Sequence, residues 1–159
     1  MMLDRPPLLP MLIASGFGAG FSPIAPGTVG AIFAICCWLG LSLFFSASDV
    51  WWITMVLILF FVIVGIWAAN RLQPYWGEDP SQIVVDEMVG MWIPLLIVPI
   101  EKIEYILMAF LLFRFFDIVK PLGIRKMEYL PGGVGVMLDD VLSGIYSFIV
   151  LIVIRWFIA

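Results

Sequence analysis

The sequence contains no histidine. That absence removes phosphohistidine intermediates, histidine general bases and imidazole metal ligands together. Cysteine is almost as scarce, with only Cys36 and Cys37, adjacent inside an apolar run. Adjacent cysteines seldom pair, and the spacing suits no metal site, so both read as small apolar packing residues. Charge is sparse too: 13% of the 159 residues are Asp, Glu, Lys or Arg, about half the share usual in soluble domains. The net charge of −4 argues against a nucleic-acid partner, which calls for a basic face. Several phosphate-handling motifs are missing. No Cys is followed six places on by Arg, no Asp-x-Asp pair occurs, and no Gly-x-x-x-x-Gly-Lys-Ser/Thr loop is present.

What is abundant is apolar surface. Hydrophobic residues make up 64% of the chain, with a mean hydropathy of +1.14. A soluble core of this size has no room for so much, so lipid is expected to cover part of it. The length fits one membrane-embedded domain over residues 1–159. The start, Met-Met-Leu-Asp-Arg-Pro-Pro, lacks the basic-then-apolar order of a signal peptide.

The pattern predicts an all-α fold, a polytopic bundle of membrane helices. Ser15 to Gly30 is too rich in Gly and Pro for one regular helix. Thr28 then offers an N-cap for a membrane helix from Val29 to about Ser46. After a polar turn, Ser46 to Val50, the run Val50–Ala69 is uncharged, and its 20 residues reach about the 30 Å of a bilayer core. It is expected to end at Asn70-Arg71, before a polar loop through Gln73-Pro74 and Gly77-Glu78-Asp79-Pro80. Glu87 and Glu101 bracket 13 apolar residues, and Glu104 and Arg114 bracket nine. Both stretches are short for a span, and Pro94 and Pro99 interrupt the first. Residues 88–116 therefore read as a helical hairpin that enters the membrane and returns, with Glu101-Lys102-Ile103-Glu104 at its tip. A polar loop from Lys120 to Pro131 follows. After the Gly-rich Pro131-Gly132-Gly133-Val134-Gly135, Asp139-Asp140 is expected to open a last helix to about Ile158.

Under this topology Arg5, Arg71, Arg114, Lys120, Arg125 and Lys126 share one side, against Lys102 and Arg155 on the other. The excess of cations assigns the first side to the cytoplasm. The same counting gathers Asp86, Glu87, Asp117, Asp139 and Asp140 at the cytoplasmic ends of apolar segments. Five carboxylates in that position repel one another and are costly to desolvate. A shared divalent cation offsets the repulsion. Without histidine or a usable cysteine, a hard ion held by oxygen is expected, which favours Mg²⁺. Neighbours on a helix point about 100° apart. One acid of each adjacent pair is therefore expected to cap a helix or hold a basic residue. Glu78, Asp79 and Glu128 read instead as ordinary solvated acids. Arg114, Asp117 and Lys120 follow at steps of three, near one another on a helix that Pro121 ends. Two cations beside acids at a membrane surface suit a phosphate group. Thr28 and Asn70 fall at the same end as candidate substrate contacts, with Arg114 and Lys120. The glycines between Gly16 and Gly27 would let backbone approach a ligand.

Four blocks carry a resemblance: Gly16 to Gly30 (GFGAGFSPIAPGTVG), Asp79 to Gly90 (DPSQIVVDEMVG), Phe113 to Pro121 (FRFFDIVKP) and Gly133 to Gly144 (GVGVMLDDVLSG). In this order they resemble the phosphatidylglycerophosphatase A family of bacterial membrane lipid phosphatases. Ala31 and Gly123 depart from the pattern, in loop detail only. The resemblance implies an all-helical enzyme of the bacterial inner membrane that needs Mg²⁺. It would hydrolyse phosphatidylglycerophosphate to phosphatidylglycerol and inorganic phosphate. It maps the catalytic and metal-binding roles to Asp86, Glu87, Asp117, Asp139 and Asp140, adds Lys120 as catalytic, and puts Thr28 near the substrate. The substrate would be a phospholipid entering sideways from the inner leaflet, attacked by activated water or by a carboxylate. Two rivals are a lipid phosphotransferase, whose distinctive Asp-Gly and Ala-Arg run is missing, and a small divalent-cation transporter, which calls for acids along a pore. Composition fixes no oligomeric state.

Overall fold

Apolar segments facing lipid must satisfy their backbone internally, which favours helices. In a computed structural model describing residues 5–158, every regular element is helical. The opening residues 1–4 lie outside the described part. The order is α1 (Leu8–Ala14), a 3-10 turn (Ala19–Phe21), α2 (Pro26–Ser42), α3 (Ala47–Trp76), α4 (Val85–Leu95), α5 (Ile103–Val119), a second 3-10 turn (Ile124–Tyr129) and α6 (Gly133–Ile158). Two helices, α3 with 30 residues and α6 with 26, are long and apolar enough to cross a membrane.

The short helix α4 is the centre of the packing. Nine of its 11 residues are buried, against α6 above all and then α2, α3 and α5. The crossing with α6 is a backbone contact. A Cβ at Gly144 would collide with the carbonyl oxygen of Gly90, and a Cβ at Gly90 would lie 2.6 Å from the carbonyl oxygen of Asp140. Small residues permit this approach, as at helix interfaces in membranes generally. The Trp92 indole donates to the Ala34 carbonyl at 3.0 Å and ties α4 to α2. At the far end, Arg155 donates to the Ile97 carbonyl and lies 5.6 Å from the Tyr105 ring centroid. That pins the α4–α5 turn to the end of α6. The outward faces are apolar: Val56, Leu59 and Ile63 on α3, Leu107 and Leu111 on α5, and Ile149 and Ile152 on α6 are all exposed. Soluble proteins rarely leave such a belt uncovered.

Several boundaries differ from the sequence reading, each for a local reason. The helix expected from Val29 begins at Pro26, because proline at the first helical position carries a preset φ. Thr28 is therefore the third residue of α2 and not its N-cap. Ser46 does cap α3, accepting from the Asp49 amide at 3.2 Å, so that helix starts at Ala47. It runs past Ala69 to Trp76 with Pro74 tolerated in its last turn, and fully buried Leu72 packs its extension. The last helix opens at Gly133, six residues before Asp139. Its glycines work as close-packing residues: a Cβ at Gly133 would strike the Ile66 carbonyl, and one at Gly135 the Leu130 carbonyl. Of the two cysteines, Cys37 is half-buried and packs on the core, whereas Cys36 is exposed. The hairpin of residues 88–116 is present as α4 and α5, turning between Leu96 and Lys102.

Gly90→Ala is expected to lower the unfolding temperature in detergent by several degrees, since overpacking typically costs about 1–3 kcal/mol. Gly40, whose Cβ would meet nothing within 4 Å, is the control. Gly40→Ala should leave the transition unchanged or raise it.

Candidate active site

Asp86 and Glu87 lie in the first turn of α4, where the positive end of the helix dipole favours carboxylates. Asp140 reaches the same point from the second turn of α6, brought there by the glycine crossing. Oxygen atoms of Asp86, Glu87 and Asp140 lie within 4.8 Å of one another. Asp86 is 8% exposed and Asp140 1%. Each of the three has one buried oxygen with no hydrogen-bond partner: Oδ1 of Asp86, Oε2 of Glu87 and Oδ1 of Asp140. Buried polar atoms are nearly always satisfied, and buried charges are paired or coordinate a metal. Three unsatisfied carboxylates converging from two helices form a donor set made wholly of oxygen, the kind hard divalent cations take.

The other two predicted acids hold cations instead. Asp117 pairs with Arg114 one turn earlier on α5, and it also lies close to Asp140. Asp139 accepts from Lys120 Nζ at 2.6 Å. Both carboxylates, expected from sequence to share the metal, are here engaged by cations, Asp117 by Arg114 and Asp139 by Lys120. The adjacent acids of α6 divide as helical geometry requires, Asp140 into the carboxylate cluster and Asp139 onto a base. Asp86 and Glu87 both stay in the cluster, because α4 begins just before them.

Lys120 departs from its expected place in line with Arg114 and Asp117. It is the C-cap of α5, with a left-handed φ of 51°, and this swings its side chain off the helix to Asp139 and Glu128. Left-handed backbone at a non-glycine residue costs about 1–3 kcal/mol. The two ion pairs hold it, as does the Tyr146 hydroxyl, which donates to the Leu122 carbonyl at 2.8 Å. Burial alone would lower the Lys120 ammonium, but the hydrogen bonds to Asp139 and Glu128 outweigh it and hold the group above its ordinary value. Glu128, read from sequence as solvated, is thus a partner of Lys120. Nothing periodic in the loop announced this, since the two residues are eight apart with proline and glycine between them.

On the other side, the start of α2 approaches Glu87. A Cβ at Gly27 would fall 2.5 Å from Glu87 Oε1 and 3.3 Å from Arg114 Nη1, so a larger residue here would have to displace the Glu87 carboxylate. Thr28 follows it in the first turn. Among the other glycines of that block, Gly16 packs against Met88, Gly20 against the backbone of Gln82 and Gly30 against Val84, whereas Gly18 faces open space. Asn70 accepts from the Gly133 amide at 2.7 Å and so satisfies the start of α6. It also lines a cleft of about 800 Å³ with Gln73, Glu78, Asp79, Glu128, Gly132 and Asp139. Gly132 has φ 60° and would drive a Cβ into the Asn70 oxygen. Glu78 and Asp79 are exposed, as read from sequence, but they face this cleft.

The profile of the family "Phosphatidylglycerophosphatase A" matches residues 12–155. A Bacteroides thetaiotaomicron protein named, provisionally, a phosphatidylinositol-3-phosphatase is 57% identical over 158 residues, covering 98% of this chain and 99% of the relative. The phosphatidylglycerophosphatase A of Escherichia coli K12 is 33% identical over 138 residues, covering 86% and 77%. That of Haemophilus influenzae is 38% identical over 147 residues, covering 91% and 88%. No solved structure gives a significant match.

Lys120→Met leaves Asp139 buried without a cation, its Oδ1 still accepting from the Asp140 amide, and breaking such a pair should cost about 2–3 kcal/mol. The native ammonium is held above the free-lysine value of 10.5. The lysine's share of the pair is therefore present at neutral pH and declines as pH climbs through the raised native value. Denaturation of both proteins should show a gap at neutral pH that narrows above about pH 10.

Proposed function

Since the chain belongs to the phosphatidylglycerophosphatase A family, and so among the phosphatases, we propose that it hydrolyses phosphatidylglycerophosphate to phosphatidylglycerol and inorganic phosphate. The observation that carries this reading is the trio Asp86, Glu87 and Asp140, each with a buried unpartnered oxygen, beside the cations Arg114 and Lys120. The all-oxygen donor set and the three orphaned oxygens fit Mg²⁺, with Asp86, Glu87 and Asp140 as the residues that would hold it. Bound there, the ion would supply charge neutralisation and polarisation of the phosphoryl oxygens.

The residues of the chain do the rest. Arg114, held by Asp117, and Lys120, held by Asp139 and Glu128, present fixed positive charge to the phosphomonoester. Because both cations are already oriented, little reorganisation is needed as charge develops on the phosphoryl group. Phosphate monoester hydrolysis is among the slowest reactions without a catalyst, so preset charge has much to supply. Thr28, in the first turn of α2, borders the same region. Water is the attacking group in this reading: its oxygen bonds to phosphorus as the bond to the lipid oxygen breaks.

The site lies in the bacterial inner membrane, on the cytoplasmic side of a multi-pass chain. Two membrane-length helices and the six cations at the carboxylate end, against Lys102 and Arg155 at the other, support that placement. The hairpin α4–α5 enters from this side and returns; α4, at 11 residues, runs only about 16 Å. Dephosphorylation of phosphatidylinositol 3-phosphate is a second reading, favoured by the 57% identical relative. Both lipids bear a phosphomonoester on a headgroup joined to the tails through a phosphodiester. A transporter reading is not favoured, because the acids gather at one end of the helices.

Asp140→Asn should reduce phosphate release from phosphatidylglycerophosphate by at least about a hundredfold while the protein still inserts and unfolds cooperatively. EDTA should do the same to the unaltered enzyme, with recovery on adding Mg²⁺. Near-normal turnover in either experiment would end the reading.

A further inference from the structure

The cleft of about 800 Å³ reaches the site through Asp139 and Glu128, the two partners of Lys120, and not through Asp86, Glu87 or Asp140. Its wall has a marked chemistry. Asn70 and Gln73 bring carboxamides from the end of α3. Glu78 and Asp79 bring carboxylates from the loop after it, and Glu128 and Asp139 bring two more. No lysine or arginine lines it among the described residues, and Lys120, paired with Glu128 and Asp139 at its edge, is assigned to the reacting phosphate. A lipid phosphatase must draw an anion to its reacting centre, yet the space beside that centre carries four carboxylates. Another phosphate placed there would meet repulsion with no compensating donor. A hydroxyl group would meet the opposite: carboxylates that accept from it and amides that both accept and donate. The volume exceeds what a single phosphate needs.

We propose that this cleft is the headgroup subsite, reading the hydroxyls of a polyol and rejecting headgroups that carry an additional phosphomonoester. Glu78 and Asp79 are the specificity-determining residues. They touch none of the groups assigned to the reacting centre, so their effect falls on binding of the headgroup and not on the chemical step. The inference rests on the lipid phosphatase reading and names the feature of the substrate that the enzyme recognises beyond its phosphate. It also explains why an acidic loop stands at the mouth of an anion-processing site.

The test uses purified full-length protein in detergent, with phosphatidylglycerophosphate and phosphatidylinositol 3-phosphate as substrates and inorganic phosphate as inhibitor. Phosphate binds at the reacting centre alone and reports its integrity. In Glu78→Gln/Asp79→Asn, KM for the better substrate should rise about tenfold, the loss expected for one or two hydrogen bonds to charged acceptors. Turnover at saturation should stay within about twofold, and inhibition by phosphate should not change. In Glu78→Lys/Asp79→Lys, a phosphoinositide bearing a second monoester should become a substrate or a competitive inhibitor. Unchanged KM in the first variant would overturn the inference. So would parallel shifts in KM, turnover and phosphate inhibition, which mark a structural role. Wild-type protein that releases phosphate from neither lipid sinks the function itself, a result separate from either of these.

Discussion

Three carboxylates whose oxygens converge within 4.8 Å in the interior are the constraint to which the rest of the molecule answers. Asp86, Glu87 and Asp140 come from two helices that touch backbone to backbone at Gly90 and Gly144. Desolvation and mutual repulsion both oppose such an arrangement. Within the protein, only the dipole of α4 and the nearby Arg114 act against them. The other acids nearby are already matched, Asp117 to Arg114 and Asp139 to Lys120. The site therefore separates into a satisfied pair of ion pairs and an unsatisfied trio. That division gives each of the five acids a distinct part.

The all-helical fold was legible in hydropathy alone, because lipid leaves the backbone little alternative. So was the gathering of the acids, since hairpin counting assigns the ends of Val50–Ala69, of the hairpin and of the last helix to one side. Boundaries were less legible where glycine and proline stand. Pro26, Pro74 and Gly133 to Gly135 read as breakers, yet each sits inside a helix, for reasons that lie in other segments. Proline is harmless at a first turn, and the glycines of α6 accept the carbonyls of Ile66 and Leu130. Sequence carries the glycine but not the neighbour it makes room for.

The same limit governs the site. The spacing of Arg114, Asp117 and Lys120 predicted one cluster, and the first two do pair. Lys120 leaves because its backbone turns left-handed ahead of Pro121, a choice set by Glu128 and Asp139 from beyond the loop. Sequence reasoning had the principle that neighbouring helical acids diverge; it holds for Asp139 and Asp140, but Asp86 and Glu87 keep their oxygens in one cluster. Gly27 is the clearest case of information hidden in a familiar block. It looks like loop flexibility, and it is the space that the Glu87 carboxylate occupies, with the Arg114 guanidinium beside it.

The enclosure of α4 bears on how this chain tolerates change over generations. The outer faces of α3, α5 and α6 ask only for apolarity, so one aliphatic residue there can replace another with little effect. Helix α4 has almost no free face: nine of its 11 residues are buried, and its glycine sits against a neighbouring backbone. Drift in this protein should therefore be graded radially, rapid at the lipid-facing rim and nearly frozen along an axis only three turns long.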